Sequence, residues 1–223
     1  MVLIYSMGTI SFIVAITHTS VANTLIILST TPLFAAIIGW IFLREPIPLR
    51  TWCAILLVGI GIFVISSDSE NQTSSLFGDI AAMCGSFFLA TGFTIVRRFH
   101  GFSIFPVIST SGLLTALIIL PFAQPFSATQ ADMGYLMIMG VYMLPAGTAL
   151  MFIGPKYIPA PEVGLMLLLE SILGPIWVWL ALGEQPGIRT FIGGAIILST
   201  LAINTAWVLK STRAHKLAVD TET

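Results

Sequence analysis

Apolar residues run along this chain in long blocks, and polar residues are confined to short gaps between them. A helix needs about 20 apolar residues to cross a bilayer. Eight blocks have that character: 1–17, 21–43, 51–66, 78–96, 105–124, 132–154, 161–182 and 188–209. Their residues do not alternate as a barrel strand's would, and lipid offers the backbone no hydrogen-bond partners, so helix is the predicted state. The gaps are rich in Pro, Gly, Ser and charge: His18-Thr19-Ser20, Arg44 to Arg50, Ser67 to Gly78, and Arg97 to Ser103. A separate soluble domain fits nowhere. The predicted class is an all-α polytopic membrane protein with eight transmembrane helices.

Composition agrees with this reading. The chain is 57% hydrophobic and 9% charged, against roughly a quarter charged in a soluble domain. One soluble core could not hide so much apolar surface. A net charge of −1 gives no sign of nucleic-acid binding. Cys53 and Cys84 both fall inside apolar runs, which argues against a disulfide framework or a metal site. His18, His100 and His215 have no metal-ligand spacing, and no cofactor motif appears.

Basic residues set the expected orientation. With the N-terminus in the cytoplasm, the cytoplasmic segments hold Arg44, Arg50, Arg97, Arg98, Lys156, Lys210, Arg213 and Lys216. Only Arg189 of the nine basic residues then lies outside. The expected location is the cell (inner) membrane, with both termini cytoplasmic.

The blocks are also related to one another. Residues 8–51 are echoed at 147–190 with a constant offset of 139, as in Gly8/Gly147, Thr9/Thr148, Trp40/Trp179, Glu45/Glu184 and Arg50/Arg189. The first copy of Gly-Thr lies in the first span and the second in the sixth, so the unit is five spans long. Five is odd, and the second copy therefore enters the membrane from the opposite side. Inverted repeats of this kind are typical of secondary transporters. The second unit starts near Gly78, which places the start of the first about sixty residues before Met1. The expectation is a partial first repeat of three helices (1–66), a linker (67–77), a complete second repeat (78–209) and a cytoplasmic tail (210–223). The sequence is thus expected to be cut from a longer ten-span chain, or to be a shortened relative of one.

Certain stretches resemble a known family. Thr31-Pro32-Leu33-Phe34-Ala35-Ala36, followed by Gly39-Trp40-Ile41-Phe42-Leu43-Arg44-Glu45, is similar to the first-repeat pattern of EamA-type proteins in the drug/metabolite transporter superfamily. Leu169-Glu170-Ser171 with the run from Trp177 to Glu184 resembles the second copy, and Leu76-Phe77-Gly78-Asp79 with Arg97-Arg98 resembles its opening. Ser171 stands where that copy usually has proline, and Pro175 lies one turn later. The resemblance implies ten helices, cytoplasmic termini and carriage of small metabolites or drugs, often as export.

Several residues are candidates for chemistry. Glu170 falls near the middle of the span 161–182, where a carboxylate costs at least ~2.5 kcal/mol. Proton coupling or capture of a substrate amine is its functional reading, and hydrogen-bonded helix packing is its structural one. Asn23, Tyr142 and Asn204 are polar groups in or near apolar spans and must find partners. They either bond between helices or line a substrate path. Trp177 either packs or offers a stacking surface, while Trp40 and Trp179 suit the interface. Glu45 with Arg50, and Glu184 with Arg189, each have a proline close after the glutamate (Pro46, Pro186) and read as turn pairs or gates on opposite faces. Prolines 145, 155, 159, 161 and 175 crowd the sixth and seventh spans and suggest breaks there, though Pro159 and Pro161 read more simply as loop residues. Gly59, Gly61, Gly193 and Gly194 mark close helix contacts, with a homodimer face as the other reading.

No nucleophile elbow or phosphate loop occurs, and Glu170 has no ionisable companion at helical spacing, which argues against an enzyme. The reading is a secondary transporter of small organic metabolites or drugs, working by alternating access and directed to export. Its other form is a non-transporting membrane subunit that pairs with another chain.

Overall fold

The computed structural model describes residues 1–44, 46–67, 75–98, 105–123, 129–153, 169–170, 172–174, 176–181, 183 and 187–220. Among them the regular elements are helices and no strand occurs. In chain order these are α1 (Val2–His18), α2 (Val21–Leu28), α3 (Thr31–Leu43), α4 (Leu49–Ser66), α5 (Leu76–Arg98) and α6 (Phe105–Ile119). Then come α7 (Gln130–Met137), a π-helical turn over Ile138–Met143, α8 (Leu144–Ile153) and α9 (Ile188–Asp220).

Among the described residues, five segments are long and apolar enough to cross a membrane: Val21–Leu43, Leu49–Ser66, Leu76–Val96, Phe105–Phe122 and Ile188–Trp207. This is a polytopic membrane protein. The expected first span is a shorter apolar helix of 17 residues. The sixth is helical from Gln130 to Ile153, and most of the seventh lies outside the described residues. The last helix does not stop at 209 but continues to Asp220.

The second span differs from the sequence expectation in being two helices. Pro32 has no N–H to give the carbonyl of Leu28, and its ring crowds that turn. The chain therefore breaks at Ser29-Thr30, and Pro32 sits in the first turn of α3, where its missing donor costs nothing. The Thr31 hydroxyl replaces the lost donor on Leu28 O at 2.5 Å. The π-helical turn has a related cause. Pro145 cannot donate to Val141, and the wider turn just before it absorbs the mismatch. At the far end of α3, Arg44 adopts the left-handed conformation (φ 56°) and donates its N–H to Gly39 O, closing the helix.

Packing centres on α5, which lies against α1, α2 and α3. Ala15 and Ile27 meet Ala81 and Ala82 there, small residues that let the helices approach. A second core joins α2 and α3 to α4 and α9 through Ile26, Leu33, Ala54, Val58, Ile62, Ile65, Ile197 and Leu201. Within it the backbones of α4 and α9 nearly touch. A Cβ on Gly193 would lie 2.5 Å from Gly61 O, and one on Gly61 would lie 2.6 Å from Ile197 Cγ1. Gly194 faces Ile26, whereas Gly59 faces open space. Three of the four predicted glycine contacts are therefore made, and all three lie within this chain.

Gly193→Val should force α4 and α9 apart at a cost of about 1–3 kcal/mol, whereas Gly59→Val should leave stability unchanged. Thermal unfolding of the two variants in detergent checks this. Equal shifts in Tm would show that the contact has been misassigned.

Candidate functional site

Two polar clusters are enclosed by the apolar helices, and both follow from local helix chemistry. The first is at the end of the bundle where α1 finishes and α5 begins. Ser75 stands just before α5; its hydroxyl accepts the N–H of Gly78 at 3.1 Å and donates to the carbonyl of His18 at 2.6 Å. One side chain thus serves an orphan donor of one helix and an orphan acceptor of another. Gly78 allows this approach, because a Cβ there would fall 2.7 Å from the backbone of His18 and Thr19.

Asp79 follows and is only 1% exposed. Its Oδ1 accepts from the Thr19 hydroxyl at 2.9 Å, while Oδ2 is buried without a hydrogen-bond partner. The Thr19 hydroxyl also lies 3.5 Å from the Asn23 amide nitrogen, and Asn23 Oδ1 accepts from the Thr190 hydroxyl at 2.8 Å. The chain Asp79–Thr19–Asn23–Thr190 therefore ties α5, the end of α1, α2 and α9 together. Beside Thr190, Arg189 donates to the Ser67 carbonyl at the end of α4, where a cation suits the helix dipole.

The second cluster surrounds the break in the second span, roughly two helical turns, or ~10 Å, from Asn23. Thr31 Oγ1 lies 2.9 Å from Ser86 Oγ, and Thr30 Oγ1 lies 3.3 Å from the same atom. Ser86 also reaches Leu28 O at 3.4 Å. All three hydroxyls are buried. Hydroxyls have both a donor and acceptors, so this group can re-pair without losing its bonds.

Among the predicted residues, Asn23 is brought fully into a network, at 1% exposed. Arg50 and Asn204 meet at one groove between α4 and α9, a pairing the sequence did not suggest. Arg189 bonds to the Ser67 carbonyl. Glu45 and Glu184 lie outside the described residues. Tyr142, in the π-helical turn, is 73% exposed, and Trp177 is 64% exposed; neither joins the clusters. Glu170 is exposed too, in a helical stretch. Gly174, four residues on, has its Cβ position 3.2 Å from Leu25 Cδ1 of α2.

Asp79, Thr19, Thr190, Thr30, Thr31 and Ser86 were not singled out from the sequence as site residues. A carboxylate four residues into an apolar helix was the available signal for Asp79. The hydroxyl partners carried none, since Ser and Thr are frequent in membrane helices and usually bond to their own backbone. Asp79→Asn retains an acceptor for Thr19 and should fold normally. Asp79→Leu strands the Thr19 hydroxyl and should lower stability by about 1–3 kcal/mol. Unfolding midpoints in detergent test the contrast, and equal behaviour of the two variants would remove Asp79 from the network.

The model of the EamA-like transporter family matches residues 1–67 and 76–206. An uncharacterized transporter of Methanothermobacter thermautotrophicus is 24% identical over 202 residues, which cover 86% of this chain and 59% of that protein. The transporter YdfC of Bacillus subtilis, also called uncharacterized, is 22% identical over 201 residues, covering 87% and 64%. The pseudopaline exporter CntI of Pseudomonas aeruginosa is 23% identical over 193 residues, covering 85% and 67%. The chain thus spans between 59% and 64% of the length of the first two of these relatives.

Proposed function

Because this chain belongs to the EamA-like transporter family, we propose that it serves as a secondary transporter of small organic metabolites or drugs, working by alternating access in the direction of export. Its relatives are transporters rather than enzymes. The observation that carries the mechanistic reading is the broken second span. Its interruption at Ser29-Thr30 places a carbonyl and three hydroxyls inside a bundle of otherwise apolar helices. Broken helices of this kind mark binding sites in secondary transporters, where freed backbone groups meet the solute or its coupling ion.

The repeat supports the same reading. Glu170 stands 139 residues after Thr31, at the corresponding position of the second unit. Thr31 is at the break, so the inverted arrangement would set Glu170 at the break of the opposite half. A proton or a substrate amine is the suitable partner for a carboxylate in that position. Pseudopaline export by one relative favours the outward direction and fixes no substrate here.

In this reading the protein lies in the cell (inner) membrane with both termini in the cytoplasm, as the basic residues require. It comprises eight helices of an inverted five-plus-five arrangement. The Asp79–Thr19–Asn23–Thr190 chain and the Arg189–Ser67 bond then lie at the extracytoplasmic end and hold it closed. Rearrangement of those bonds opens the way out.

Uptake into proteoliposomes across a metabolite panel, with and without a pH gradient, tests this. Substrate-specific flux is expected, and its absence from the full-length protein would end the transporter reading. Glu170→Gln should abolish the response to the pH gradient while leaving solute counterflow. An unchanged response would exclude Glu170 from coupling.

A further inference from the structure

Arg50 and Asn204 share a groove of about 240 Å³ between α4 and α9. Cys53, Ala54, Leu57, Thr200, Ile203 and Trp207 complete its lining. The volume is below the roughly 300–1,000 Å³ of a pocket that encloses a drug-sized molecule. Its lining is nearly all apolar, with the cation at one end.

The Thr200 hydroxyl donates to Ile196 O at 2.6 Å, whereas two other polar groups of the lining lack partners. Arg50 makes no ion pair or hydrogen bond among the described residues. It lies in the first turn of α4, which contains no acidic residue. A helix N-terminus is already a positive end, so Arg50 adds charge where a helix least favours it. Asn204 Oδ1 is buried and has no hydrogen-bond partner. Arg50, Trp207 and the Trp40–Trp52 pair, whose ring centroids are 5.4 Å apart, lie towards the ends of their apolar spans, where interfacial residues belong. Beyond Trp207 the same helix continues through Lys210, Arg213 and Lys216 to Asp220. Basic residues next to a span draw anionic lipid.

We propose that this groove is a binding site for an anionic phospholipid, with the headgroup phosphate on Arg50 and part of one acyl chain along Leu57 and Ile203. A free phosphate leaves the apolar walls uncovered, and an apolar solute leaves Arg50 without a counter-charge. Only an amphipathic anion meets both ends. Phosphatidylglycerol is the lipid probe. This site stands apart from the transport reading, since neither enclosed polar cluster lines it.

Trp207 reports on the groove directly. A form with Trp40, Trp52, Trp177 and Trp179 replaced by Phe would be reconstituted in phosphatidylcholine vesicles. These would contain chain-brominated phosphatidylglycerol or chain-brominated phosphatidylcholine. Quenching of Trp207 should show about a five-fold preference for the anionic lipid. Arg50→Gln should bring the preference close to one and Arg50→Lys should retain most of it. Ala54→Phe, which fills the groove, should reduce quenching by both lipids. Inorganic phosphate at millimolar concentration should not displace the lipid. Native mass spectrometry of the protein with all its tryptophans reads the same preference as retained phosphatidylglycerol. Equal quenching by the two lipids, or an undiminished preference in Arg50→Gln, would overturn the proposal. So would efficient bismaleimide cross-linking of two copies through Cys53 with Trp207 unquenched, since a second copy would then occupy the groove.

Discussion

The carbonyl of Leu28 faces a proline where a helix would place its hydrogen-bond donor. Within a bilayer an unmatched backbone group costs several kcal/mol, so a break in a spanning helix survives only where side chains stand in for the missing bond. Thr31 and Ser86 do this at the break between α2 and α3. Ser86 comes from α5, the helix around which α1, α2 and α3 are arranged. The interruption in one helix is thereby made a reason for another helix to be where it is.

The same economy governs the end of the bundle. Helix termini expose carbonyls and N–H groups, and here they are satisfied across helices rather than by solvent. Ser75 serves the start of α5 and the finish of α1, and Arg189 of α9 serves the finish of α4. Asp79 adds the one carboxylate of this group, with a single hydroxyl donor and one oxygen left over. Such a group has room for another bond, which distinguishes it from the saturated contacts around it.

Much of this was legible in the chain. Apolar runs located the spans at 21–43, 51–66, 78–96, 105–124 and 188–209, and Gly61, Gly193 and Gly194 pointed to close contacts that are present. Pro32 was visible as a motif residue, yet the break it causes was not read, because apolar content is continuous across Ser29-Thr30. The polar clusters were less accessible. Thr19 and Asp79 are 60 residues apart, and Asn23 and Thr190 are 167 apart. Nothing in one sequence pairs such positions. Arg50 illustrates a different limit: it lines a groove with residues of α9, about 150 positions away, and the register of α9 against α4 involves the Gly61–Gly193 contact far from that groove.

Those glycines divide the molecule into parts that differ in how they can move. Where Gly61 and Gly193 meet, backbone comes against backbone, and the side chains of Ile65 and Ile197 fill the space the glycines leave, so there is little slack to absorb a slide. Helices α4 and α9 must travel together as one rigid strut. The contacts of α1, α2 and α3 with α5 are of the opposite kind, resting on small residues and on hydroxyls that can exchange one partner for another. Among the described helices, the hydroxyl-lined seam is therefore the interface that can shift with its bonds re-paired, and the glycine-joined pair is the one that resists sliding.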